Sequence, residues 1–144
     1  MRHALLVVAL LVAAAPALAQ ETCPDGRALS GDLGIDRYLC AGGSCSIWIH
    51  AGGGLAHSFT VEPRVARITS GSPADGRLEV GDALVAIDDL LLTTAAAGRR
   101  LARLEPGVPV RLWFRRDGRD HRITLTPVPG CGPSGLSVRI PGAS

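Results

Sequence analysis

Cys40, Cys45, His50 and His57 are four metal-ligand types within one short stretch, and Ser44 beside them has the hydroxyl of a possible nucleophile. The ligand spacing is C-x4-C-x4-H-x6-H. Structural zinc sites more often carry a C-x2-C knuckle, so a disulfide is the preferred reading of the cysteines. A catalytic reading of Ser44 would need His50 or His57 and an aspartate. The chain has no G-x-S-x-G elbow, no H-E-x-x-H, and no D-T-G or D-S-G. The expectation is a non-catalytic protein with no metal and no cofactor.

The elements that would position these residues follow from periodicity. Cys45, Ile47 and Ile49 alternate with Ser46, Trp48 and His50, as in a half-buried strand. Ala51-Gly52-Gly53-Gly54 reads as a turn. His57, Phe59 and Val61 then alternate with Ser58, Thr60 and Glu62 until Pro63 ends the run. The two runs are expected to form a hairpin. Val65 to Ile68 is a short strand and Ala83 to Ile87 a more apolar one, closed by Asp88-Asp89. Thr93-Thr94 offers a helix N-cap, and the helix is expected over Ala95 to Leu104, with Ala97, Leu101 and Leu104 on one face and Pro106-Gly107 as its stop. Val108 to Arg115 and Arg119 to Val128 alternate about Asp117-Gly118, the favoured two-residue hairpin turn.

The chain has 144 residues, enough for one domain with a sizeable core. Met1-Arg2-His3, the apolar run Ala4 to Ala15 and the A-x-A site Ala17-Leu18-Ala19 read as a signal peptide over residues 1–19. The run is too short for a membrane span, and Gln20-Glu21-Thr22 before Cys23 is no lipobox. The expected product is periplasmic or secreted, with no membrane anchor once the signal is removed. The net charge is +2, which gives no electrostatic case for a nucleic-acid partner. All 15 basic residues are arginine, which fits the Ala-, Gly- and Pro-rich composition of a GC-rich genome. Four cysteines in an exported chain, Cys23, Cys40, Cys45 and Cys131, suggest two disulfides with three possible connectivities. Residues 20–44, broken by Pro24, Gly26, Gly31, Gly34, Gly42 and Gly43, read as an irregular extension. Residues 129–144 read as a flexible tail, with one alternating run, Leu136 to Ile140.

The centre of the chain joins these elements. Val65-Ala66-Arg67-Ile68 precedes Gly71-Ser72-Pro73-Ala74, then come Leu78 and Gly81-Asp82, then the strand ending at Asp88. A hydrophobic pair, G-S-P-A, L-x-x-G-D and a strand closing near V-D-G is the middle of a PDZ domain, and residues 45–128 resemble that family. The resemblance implies a mostly β, α+β fold with one main helix: a PDZ-like, partly open barrel or sandwich of five to six strands. It implies a peptide- or protein-binding module, in which an extended segment, often a C-terminus, adds to the second strand in the groove against the helix. The family's carboxylate loop, G-Φ-G-Φ with Φ hydrophobic, corresponds here to Gly54-Leu55-Ala56-His57, where Ala56 replaces the second glycine and His57 the last hydrophobic residue, or to the looser Gly52 to Leu55. The expected peptide-binding residues are Gly54, Leu55, Ala56, His57, Ser58 and Phe59, with Ala95 and Arg99 from the helix. The groove could instead be filled in cis by residues 136–140, giving a structural or regulatory subunit of the envelope. Asp82 is expected to cap backbone N–H groups rather than do chemistry. Pairing Cys40 with Cys45, and Cys23 with Cys131 across the ends of the domain, is the first choice. Cys45 with Cys131 remains open, because the first and last strands of such a barrel are neighbours.

Overall fold

The computed structural model describes residues 22–49 and 55–133. Ten short strands and one short helix follow in the order β1 (Ser30–Asp32), β2 (Ile35–Leu39), β3 (Cys45–Ile49), β4 (Leu55–Phe59), β5 (Arg64–Ile68), β6 (Ala83–Ile87), β7 (Leu90–Leu91), α1 (Ala95–Leu101), β8 (Val110–Arg116), β9 (Arg119–Leu125) and β10 (Val128–Gly130). The fold is mostly β with a single short helix, consistent with a PDZ-like α+β fold, and its sheets are not closed into a barrel.

Three sheets carry the strands. The largest runs β2-β5-β6-β8-β9 with β7 beside β6; β3 pairs with β4, and β1 with β10. The expected strand count of five to six fits the largest sheet, and the two small sheets add to it. β6 is the central strand of the large sheet and all five of its residues are buried. Its run of Ala, Leu, Val and Ile suits a strand covered on both faces. β8 places Val110, Leu112 and Phe114 in the core, and they alternate with Arg111, Trp113 and Arg115 as the sequence requires. Phe114 is 2% exposed, so Phe114→Ala is expected to cost about 3–5 kcal/mol. Asp117 (φ 50°) and Gly118 (φ 72°) make the tight β8–β9 turn.

Two stretches depart from expectation. Residues 22–44 are not irregular throughout. Ile35–Leu39 joins the large sheet as β2, antiparallel to β5, and Ser30–Asp32 pairs with Val128–Gly130. The folded unit therefore begins well before Cys45, and the start of the expected tail lies within β10. Gly31 suggested a loop to sequence reading, but it is required by packing: a Cβ there would stand 2.6 Å from the Leu104 carbonyl carbon. The helix also ends at Leu101 rather than Leu104. The Leu104 carbonyl instead accepts the Gly31 N–H at 2.9 Å, which draws the chain after the helix toward β1. The N-cap is as expected: Thr94 is extended, and its hydroxyl oxygen accepts the Ala97 N–H at 3.4 Å.

Both disulfides of the first-choice pairing are present, Cys23–Cys131 and Cys40–Cys45, with Cα separations of 5.6 and 5.5 Å. Residues 1–19, Gly54 and residues 136–140 lie outside the described residues. No described helix is long and apolar enough to cross a membrane.

Candidate functional site

The site is built from β2, β4 and α1. At the head of β2, Leu33 and Ile35 are buried on either side of Gly34, which sits at φ 83°. This loop is clasped from three directions. Leu33 O accepts the Ala74 N–H at 2.9 Å, Gly34 O accepts the Thr69 N–H at 2.8 Å, and the Gly31 N–H donates to Leu104 O. The Asp32 carboxylate lies inside the loop. Its Oδ1 accepts the Gly34 N–H at 2.7 Å and its Oδ2 the Gly132 N–H at 3.1 Å.

Strand β4 forms the expected hairpin with β3, with Ile47 opposite His57 and Cys45 opposite Phe59. Leu55, His57 and Phe59 point inward and are buried, while Ser58 is exposed. The inward face packs on β2: the Tyr38 ring lies 5.2 Å from Phe59 and 6.1 Å, edge-on, from His57. The edge of β4 meets α1. Gly98 approaches the His57 carbonyl so closely that a Cβ at 98 would stand 2.2 Å from that oxygen. An added strand would need about 4.8 Å on each side to pair with β4, and no such space exists at His57. β4 thus lies between the helix and Tyr38 of β2.

A small cavity of about 30 Å³ remains at one end of this arrangement, bounded by Leu33, Ile35, Tyr38, Leu55, His57 and Leu101. It has room for about one or two waters. His57 is 8% exposed and its Nδ1 is buried without a partner among the described residues. Burial pushes its pKa down to about 4, against a backbone contact with Leu55 that works the other way, so the ring is neutral at pH 7. Burial, helped by the nearby Asp32 carboxylate, raises the Tyr38 hydroxyl well above its ordinary value.

The expected binding residues are therefore divided. Leu55, Ala56, His57, Ser58 and Phe59 share β4, but as an element wedged against the helix rather than an open edge. Ala95 and Arg99 are exposed on α1, and the helix touches β4 through Gly98. Sequence reading missed Leu33-Gly34-Ile35, which matches Φ-G-Φ better than Leu55-Ala56-His57 does. It also missed Gly98, a glycine inside an alanine-rich helix, where the cost of about 1 kcal/mol signals a packing reason.

The other candidates have structural partners. Cys40 and Cys45 are joined to each other and hold no free thiolate. Among the described residues no three His, Cys, Asp or Glu gather as a metal site. The Ser44 hydroxyl lies 3.5 Å from that of Thr60 and has no histidine partner among the described residues. Asp82 accepts the Glu79 N–H at 2.8 Å and a two-pronged contact from Arg116 at 2.8 and 2.7 Å. It is a structural cap, as its place after Gly81 suggested. Trp113 is half-buried under the Arg122 guanidinium, 4.9 Å from the ring centroid.

No protein-family model and no curated protein matches the chain. Among solved structures it is similar to the HtrA-type protease AlgW with a decapeptide, at 20% identity and a TM-score of 0.49. It is also similar to the serine endoprotease from Yersinia pestis, at 17% identity and a TM-score of 0.46. The likeness covers 75% and 74% of this chain but 32% of each protease. The chain thus spans about a third of the length of the structures it matches.

Proposed function

We propose that this protein is a non-catalytic peptide- or protein-binding module of the PDZ-like kind, acting in the periplasm or outside the cell, whose groove is held in cis by its own strand β4. The observation that carries this reading is β4 wedged between Gly98 of α1 and Tyr38 of β2. β4 pairs with β3 and not with β2, but it fills, with a segment of the chain itself, the space against the helix that a bound peptide would need. The Leu33-Gly34-Ile35 loop at the head of β2, with Leu101 across the small cavity, supports the same reading. Among the described residues the strand in this position is β4, and the occlusion in cis is assigned to that hairpin. The two disulfides and the apolar N-terminus support export.

The test is a peptide-display screen on the oxidised protein, comparing the wild type with a Gly98→Ala variant that drives the helix and β4 apart. Enrichment on the variant and little on the wild type is the expected result. No enrichment on either, with both folded by circular dichroism, would overturn the binding reading and leave β4 as plain structure. Appearance of the protein in the osmotic-shock fraction or the medium tests its location.

A further inference from the structure

Resting on that reading, we infer that the groove takes an internal extended segment carrying bulky uncharged residues at alternate positions, and not a free C-terminus. Two observations carry this. The first is Asp32, the acidic residue within the loop where the family pattern would receive a ligand carboxylate. Its two oxygens already accept the Gly34 and Gly132 N–H groups at 2.7 and 3.1 Å. A second carboxylate there would meet a like charge and find these two donors taken. The second is the chemistry of the resident strand. Leu55, His57 and Phe59 are its buried residues, at every second position, and His57 is held neutral. Ala56 and Ser58, between them, face away. A ligand that replaces β4 must present the same face: aliphatic, then a neutral ring, then an aromatic ring. The Tyr38 ring is there to receive the second and third of these. An acidic residue at the central position would be buried at the cavity that the Asp32 carboxylate already lines.

The experiment measures binding by fluorescence anisotropy of a labelled peptide with the sequence of residues 55–61, blocked at both ends. The proteins are the oxidised wild type and Gly98→Ala; His57→Glu, which loosens β4 from its own side, serves if Gly98→Ala does not fold. The loosened variant should bind this peptide at least ten-fold tighter than the wild type. A free C-terminal carboxylate should bring no gain, and a peptide with Asp at the His57 position should lose ten-fold or more. A ten-fold preference for the free C-terminus would overturn the inference, as would equal binding of a scrambled sequence. Display-selected peptides that bind but lack this alternation would overturn the ligand class while leaving the module intact. Failure of every peptide to bind a folded variant overturns the module and this inference with it.

Discussion

The carbonyl oxygen of His57 rests against the Cα of Gly98, and a Cβ at position 98 would stand 2.2 Å from it. This contact ties the hairpin to the helix. Alanine is favoured over glycine within a helix by about 1 kcal/mol, but wedging a methyl group into a packed contact costs about 1–3 kcal/mol. The clash is with backbone, which has no rotamer to escape into, so the second effect wins. Gly98→Ala is expected to lower stability by up to about 2 kcal/mol, read from the urea midpoint, with faster amide exchange confined to residues 55–59. A variant more stable than the wild type would show that helix and strand do not touch.

Acid should loosen the same strand. The folded pKa of His57 is about 4, against 6.5 for the free side chain. As pH falls through about 6.5 the unfolded chain binds a proton that the folded one refuses, and stability declines until the folded pKa is reached. The groups around the ring are uncharged Tyr38 from β2, the Gly98 segment of α1, and Leu55 and Phe59 on β4; Asp32 lies at the same cavity. Stability should be full above pH 7 and fall by at most about 3 kcal/mol on the way to pH 4. In His57→Phe this slope should vanish. A wild-type profile flat from pH 7 to 4.5 would show that His57 is not buried in solution.

Local pattern made much of this fold legible. The alternation of Val110, Leu112 and Phe114, the Asp117-Gly118 turn and the Thr94 cap each act within a few residues, so a sequence reading finds them. The placement of the hairpin did not follow in that way. Whether β5 pairs with β4 or with β2 is a choice between non-local partners, and nothing local in Val65 to Ile68 marks it. The glycines of residues 31 and 34 misled for a related reason. Glycine signals a loop unless one knows that Gly31 is pressed on the Leu104 carbonyl and that Gly34 opens the head of a strand. Leu55-Ala56-His57 reads as the loop because it opens the strand that pattern marks as the second, whereas Leu33-Gly34-Ile35, which opens β2, lies in a stretch that reads as irregular.

Asp82 and Arg116 hold the turn before β6 to the end of β8. Burial disfavours ionisation of the Asp82 carboxyl, but the Arg116 hydrogen bonds and the Glu79 N–H outweigh it and hold the group below its usual range. Asp82→Asn keeps the shape and loses the charge, and should cost about 1–3 kcal/mol. Because the folded pKa is depressed, the contribution is present above pH 4 and lost as pH falls further. The wild type should therefore lose its advantage over Asp82→Asn below that pH. Equal urea midpoints for the two proteins at pH 7 would show that the pair adds nothing.

The two disulfides should differ in what they contribute. Cys23–Cys131 closes a span of 108 residues and Cys40–Cys45 one of 5. Cross-linking removes freedom from the unfolded chain in proportion to the logarithm of the span, which gives about 5 kcal/mol for the long loop and about 2 kcal/mol for the short one. The Cys23→Ser, Cys131→Ser double variant should therefore lose more than twice the stability that the Cys40→Ser, Cys45→Ser variant loses. The long bridge also holds Cys131 beside Arg27, whose guanidinium donates to the Cys131 carbonyl at 3.0 Å, so its removal should free β10 from β1. The short bridge joins the end of β2 to the start of β3, at the base of the hairpin that carries β4. Its loss should lower the thermal transition by less than loss of the long bridge does, while amide exchange in residues 55–59 quickens. Equal losses in the two variants would mean that the short bridge holds the fold as a whole rather than the hairpin.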